Sequence, residues 1–177
     1  MLIIKYILYT EIANFYHPTS HSKEYWMKFT DSIPINQTPE IFQKRLEQIK
    51  ALRHSNCIFN TRPPIPDLEF MFDKHGVLSG KFTGNNEHQG YDTMVHGGLL
   101  AAVVDASMTQ CLMGHGITAY TTDLSLKYRK PVKINKTAFL ETRIEKVNAG
   151  RLYTLSCSIF QDKIESVNAS GRFYRIK

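Results

Sequence analysis

His96-Gly97-Gly98-Leu99-Leu100-Ala101-Ala102-Val103-Val104-Asp105 reads as the opening of a helix that is apolar almost all round, with one carboxylate at its middle. A helix of that kind is normally buried. An aspartate, however, is rarely buried without a partner or a task. The fold therefore has to supply both cover for this helix and company for Asp105. Gly114-His115-Gly116 is a strong stop, so the helix is expected over about residues 97–113, roughly 25 Å at 1.5 Å per residue. Ala101, Ala102, Ala106 and Ser107 are small, so the covering layer can lie close to the helix backbone.

Strands supply the cover. Before the helix, Leu68, Phe70 and Phe72 alternate with Glu69, Met71 and Asp73, the period-two pattern of a strand. Lys74-His75-Gly76 makes a turn into a second strand from Val77 to Phe82, and a polar loop from Gly84 to Val95 leads into the helix. After it come four strand-like segments, about 118–130, 137–147, 151–161 and 164–176. In them Leu124, Leu126 and Tyr128 share one face, as do Ala138, Leu140 and Ile144, then Tyr153, Leu155, Cys157 and Ile159, then Val167, Ala169, Gly171 and Phe173. Asn148-Ala149-Gly150 and Asp162-Lys163 are hairpin turns. The order β-β-α-β-β-β-β predicts an α+β fold in which a twisted six-stranded antiparallel sheet wraps one long central helix. Such a sheet leaves an edge that a second copy of the chain would protect.

Upstream, Thr38-Pro39-Glu40 is a helix start, with an N-cap threonine, proline in the first turn and an early acidic residue. Ile41, Phe42, Leu46, Ile49 and Leu52 follow at helical spacing. An amphipathic helix over 39–53 and the Pro-rich connector Arg62-Pro63-Pro64-Ile65-Pro66 thus make a segment 38–65 ahead of a main domain over 66–177. Residues 1–37 form an N-terminal extension with no clear core periodicity. Met27 is a candidate native start within it, the alternative being a peripheral helix or strand over residues 1–16.

The 177 residues, 42% hydrophobic and 21% charged, suit one globular domain with an extension. The formal net charge of +6 would fit nucleic acid, a membrane surface or a phosphorylated small molecule. Its densest stretch is Lys127, Arg129, Lys130, Lys133 and Lys136, with no helix-turn-helix and no aromatic-interleaved platform for single strands. That leaves a solvated strand face or a site for the phosphates of a nucleotide-like ligand, and no nucleic-acid partner is expected. No run approaches the roughly 18 apolar residues of a spanning helix, and the apolar Met1–Tyr9 lacks a small-residue cleavage site. Neither a membrane partner nor a signal peptide is expected. Cys57, Cys111 and Cys157 have no metal-ligand spacing, and this usage fits a reducing cytoplasm.

The chemistry concentrates at the helix start. Gly97 and Gly98 let backbone N–H groups approach a ligand closely, and the first turn of a helix offers unpaired N–H groups and partial positive charge. An oxyanion formed in acyl transfer needs such donors. Asp105 lies seven residues beyond Gly98, close to two helical turns, and so projects from nearly the same face. It can be a general base that activates water, a nucleophile that forms an anhydride, or a structural carboxylate partnered by a Lys, Arg or Thr of another strand.

These residues resemble the hotdog-fold acyl-CoA thioesterases of the PaaI-like group. His96-Gly97-Gly98 with Asp105 nine residues after the histidine carries the resemblance. His88-Gln89-Gly90-Tyr91 before it, and Thr121-Thr122-Asp123-Leu124 through Tyr128-Arg129-Lys130-Pro131 after it, extend it over about 66–176. The resemblance implies homodimers or dimers of dimers, with active sites at the dimer interface and no metal or redox cofactor. It implies Asp105 as base or nucleophile and the Gly97 amide as the group that polarises the thioester carbonyl. Thr121 would carry the hydroxyl that helps to place water. His96 would lie beside the carbonyl, with Gly90 lining the same site. Gly98 and His88 join the substrate-binding candidates, as do Lys127, Arg129 and Lys130 for the phosphates of CoA. His96 can equally cap the helix, and His88 and Gln89 can simply hold the loop. Tyr128 is expected in the core.

One departure falls beside the site. Where the family usually has Gly-Tyr-Pro-Gly, this chain has Gly90-Tyr91-Asp92-Thr93, which is expected to remove a rigid turn and to add a carboxylate. The expected activity is hydrolysis of an acyl-CoA to a free acid and CoA. The alternative on the same fold is a module that binds acyl-CoA without cleaving it.

Overall fold

The computed structural model describes residues 38–65 and 67–176. The candidate start at Met27 and the alternative element over residues 1–16 lie outside the described residues. The order is α1 (Pro39–Arg53), α2 (Ile58–Thr61), β1 (Glu69–Phe72), β2 (Leu78–Thr83), a 3-10 turn (Asn86–His88), α3 (Gly97–Gly114), β3 (Ala119–Tyr128), β4 (Thr137–Asn148), β5 (Leu152–Gln161) and β6 (Ile164–Arg175). The six strands form one antiparallel sheet in the order β1-β2-β4-β5-β6-β3, so β1 and β3 are its edges.

α3 is the axis around which the sheet is wrapped. Val103, Val104, Met108 and Cys111 are wholly buried against sheet residues that include Leu78, Leu155, Ile159, Val167 and Phe173. The alternation read in β5 and β6 holds at every position named for them, since all eight residues are buried. α3 stops where the glycines require it. Gly116 takes the left-handed conformation (φ 77°), its N–H donates to the Met113 carbonyl (2.9 Å) and the Ile117 N–H reaches back to Leu112 (2.9 Å). This is a Schellman closure with Ile117 as its apolar partner. Burial explains the composition of α3, and it corrects the expectation about long apolar runs. Among the described residues, Gly97–Gly114 is long and apolar enough to cross a membrane by length and composition alone, but it lies inside its own sheet.

α1 has the predicted bounds but a larger role. Phe42 and Leu46 belong to the same core as α3, and so does Ile65 of the Pro-rich connector, which is wholly buried. The Phe42 ring stacks on Phe72 (5.4 Å between centroids) and tilts against His115 (4.8 Å). Burial holds the His115 imidazole below its ordinary pKa, and its Nε2 bonds the Gly76 carbonyl (2.9 Å). Residues 38–65 therefore do not form a segment apart from the fold that follows. Two of the five apolar positions read on α1 face outward, since Ile41 and Leu52 are exposed. Thr38 sits at the N-cap in extended conformation, without a side-chain cap bond. The helix start rests on Pro39 and on the Ile41 N–H to Thr38 carbonyl bond (3.0 Å).

Candidate active site

The start of α3 is built by its own first residues. His96 occupies the N-cap, and its Nδ1 accepts the Gly98 N–H (2.9 Å). An accepting Nδ1 places the ring proton of the neutral imidazole on Nε2. The His96 N–H donates to the His88 carbonyl (2.8 Å), while its own carbonyl accepts from Leu99 (3.0 Å) and Leu100 (3.1 Å). Of the two glycine amides, Gly98 is therefore engaged by the cap, and Gly97 is the candidate for a ligand oxygen.

The loop ahead of the helix is held from within. His88 is buried, and its Nδ1 accepts the Asn85 N–H (3.0 Å), so in this chain its ring holds the loop. Gln89 Oε1 accepts the Thr93 N–H (3.2 Å). Gly90 bonds the Met94 carbonyl through its N–H (2.9 Å). A Cβ on Gly90 would stand 3.1 Å from the His96 Cα, so a side chain there would push the loop and the cap apart by a few tenths of an ångström. The departure Asp92-Thr93 does not abolish the turn. Met94 N–H donates to the Tyr91 carbonyl (2.9 Å), and Thr93 adopts φ 66° where the family pattern has glycine. Backbone bonds hold the type II turn that Pro-Gly would otherwise favour. Asp92 is exposed.

Asp105 is only half-buried, which removes the conflict in its sequence. The sheet covers α3 except along a stripe through Gly98, Ala101, Ala102, Asp105 and Thr109, all exposed or half-buried and falling on one side of the helix. Thr121 Oγ1 donates to Asp105 Oδ1 (2.7 Å), so the carboxylate has a partner from a neighbouring strand.

Thr121 reaches it because β3 carries a bulge. Thr121 pairs with Phe173 and Asp123 with Arg172, leaving Thr122 as the extra residue. The Thr122 hydroxyl donates to the Arg172 carbonyl (3.0 Å). Without a bulge, Thr121 would point away from Leu124, Leu126 and Tyr128, because strand side chains alternate. With it, all four share the face toward α3, and Asp123 turns outward to pair with Arg172 (3.1 Å).

Tyr128 departs from its expected place. It is 54% exposed, not in the core, because β3 is an edge strand and its end projects past the packed layer. Its hydroxyl donates to the Gly97 carbonyl (2.8 Å), a contact that nothing in the alternation of β3 announced. Lys127 and Arg129 lie on the opposite side of the strand, Arg129 paired with Glu165 (3.1 Å). Lys130 is exposed where β3 ends, and its N–H donates to the Ser166 carbonyl (3.2 Å). The structure does not gather these three cations around Asp105.

Gly97 and Asp105 are themselves apart. Eight residues at 1.5 Å each put about 12 Å of helix axis between them. A single carbonyl contacts an oxyanion donor and a base-held water each at about 3 Å. Each copy therefore carries the two groups at well-separated places along one helix.

Comparison with known proteins agrees with this architecture. A family model described as "Thioesterase superfamily" matches residues 93–167, which hold Gly97, Asp105 and Thr121. Acyl-coenzyme A thioesterase THEM4 of Mus musculus is 30% identical over 97 residues, covering 54% of this chain and 41% of that protein. The chain thus spans about two fifths of the length of that relative. The PaaI protein of the E. coli phenylacetic acid degradation operon superposes with a TM-score of 0.64 at 14% identity, covering 77% of this chain and 96% of that one. A hypothetical thioesterase of Streptococcus pneumoniae, solved with coenzyme A, gives 0.57 at 17% identity over 62% of this chain and 89% of that one. A helix wrapped by six antiparallel strands gives this chain the hotdog fold of those solved structures, and the thioesterase superfamily model it resembles runs from the loop before α3 into β6.

Proposed function

We propose that the protein is an acyl-CoA thioesterase that works as a homodimer or a dimer of dimers. The observation that carries the reading is the 2.7 Å bond from Thr121 to Asp105 on the uncovered stripe of α3, on the same helix as an N-terminus with one uncommitted glycine amide. Asp105 Oδ1 is held by Thr121, and Oδ2 takes a proton from water. The water oxygen adds to the thioester carbon, and the Gly97 N–H of the facing subunit receives the negative charge that develops on the carbonyl oxygen. The C–S bond then breaks, giving the free acid and CoA, whose thiolate recovers the proton. His96 holds the helix start and presents Nε2–H beside the carbonyl. The Lys127 and Lys130 ammonium groups, with Arg129, are the candidates for the phosphates of CoA across the interface.

The dimer reading is supported by the separation of about 12 Å along the helix axis and by the free edge of β3, where Tyr120 and Tyr128 are exposed. Antiparallel pairing of two α3 helices sets Gly97 of one copy against Asp105 of the other. The relatives named as acyl-CoA thioesterases and the neighbour solved with CoA support this substrate class. The three free cysteines suit a cytoplasmic setting.

Thiol release from a panel of acyl-CoA thioesters, followed with a thiol reagent, tests the reading. Wild type is expected to turn over at least one of them, and Asp105→Asn to lose about 10²-fold or more in kcat. Near wild-type turnover in Asp105→Asn would reject the mechanism. Binding of acyl-CoA without thiol release by the wild type would assign the protein as a non-catalytic binding module.

A further inference from the structure

The structure assigns Tyr128 as a positioning residue that fixes the helix-start amide from the edge strand, an inference that rests on the thioesterase reading above. Two successive glycines are the most pliable pair a chain can hold, and an oxyanion donor is effective only when its direction is set in advance. His96-Gly97-Gly98 therefore combines a demand for rigidity with the residues least able to supply it. The surroundings resolve this. The peptide between Gly97 and Gly98 is gripped at both ends, its carbonyl by the Tyr128 hydroxyl (2.8 Å) and its N–H by His96 Nδ1 (2.9 Å). The preceding peptide is fixed through the His96 carbonyl, which accepts from Leu99 and Leu100. Between these two planes the Gly97 N–H has one direction left.

The Tyr128 ring also lies over Gly97, since a Cβ there would stand 3.6 Å from the ring. A half-exposed tyrosine is thereby spent on a main-chain oxygen. Tyr128 and Thr121 belong to the same strand and face α3 together through the bulge at Thr122. One edge strand thus sets both halves of the chemistry, the carboxylate through Thr121 and the amide through Tyr128. Pairing of that edge with a second copy would stiffen both at once.

Tyr128→Phe tests this, because it keeps the ring and removes only the donor. Acyl-CoA hydrolysis is expected to lose about tenfold in kcat with KM unchanged, the scale of one hydrogen bond that holds a transition-state donor. The melting temperature should stay within a degree or two of wild type. In parallel, amide hydrogen exchange at Gly98, followed by NMR, should run about tenfold faster than in wild type. Tyr128→Leu, which removes the ring as well, should lower kcat further. An unchanged kcat in Tyr128→Phe together with unchanged exchange at Gly98 would overturn the inference, as would a rise in KM alone. Should the wild type release thiol from no acyl-CoA, the enzymatic reading falls, while the exchange measurement still decides whether Tyr128 holds the glycine turn.

Discussion

Thr93 carries a cost that its neighbours absorb. A β-branched residue at φ 66° sits in a region that disfavours a side chain by about 1–2 kcal/mol. Backbone bonds on both sides keep it there, its N–H on Gln89 Oε1 and its carbonyl accepting the Ile134 N–H (3.0 Å). Because both bonds are made by the main chain, Thr93→Gly keeps them and relieves the strain. Glycine also loosens the unfolded chain, which returns part of the gain. The expected net effect is a stabilisation of about 0.5–1 kcal/mol, read as a higher midpoint in urea denaturation. An unchanged or lower midpoint would show that the turn is relaxed as it stands. This position marks how far single residues were legible. The glycine pair and Asp105 could be read because helix geometry fixes what a glycine or a carboxylate does there. The loss of Pro and Gly was read as the loss of a turn, because local preference was visible in the sequence and the distant partner Ile134 was not.

At the scale of elements, β3 shows why alternation falls short. Its inner face was read correctly from Leu124 and Leu126, both half-buried toward α3. Carrying the period back from them puts Thr122 inward and Thr121 outward, and only the bulge reverses that. Two adjacent threonines give no signal of which is the extra residue, so Thr121 was identified by family resemblance. The two should separate sharply by mutation. Thr121→Val removes a hydrogen bond to a carboxylate and should lower kcat by about tenfold or more. Thr122→Val loses only its bond to the Arg172 carbonyl and should cost about 0.5–1.5 kcal/mol of stability, with activity within about twofold of wild type. Thiol-release rates and urea midpoints of the two variants settle it, and equal losses of activity would place the bulge elsewhere. α1 is a parallel case. Its bounds were legible from Thr38-Pro39 and helical spacing. Its membership of the core was not, because the stacking of Phe42 on Phe72 joins positions 30 residues apart in sequence.

At the scale of the whole molecule, the proposed dimer can be tested directly. Each copy presents one Asp105 and one Gly97 amide, about 12 Å apart along the helix axis, and in the proposed dimer each site takes one group from each copy. That arrangement has a signature no monomeric site can imitate. Gly97→Pro removes the N–H in question with little disturbance, since proline is favoured at the first helical position and His96 before it already has the extended backbone (φ −60°, ψ 130°) that a following proline requires. Gly97→Pro and Asp105→Asn should each be nearly inactive alone. Unfolded together and refolded as a mixture, about half of the dimers should be hybrids, each with one site that has both Asp105 and the Gly97 amide. The mixture should then recover about a quarter of the wild-type rate per subunit. The same recovery should be absent when the two substitutions are combined in one chain and refolded. A mixture that stays as inactive as its components would place both groups on one copy and overturn the shared-site reading.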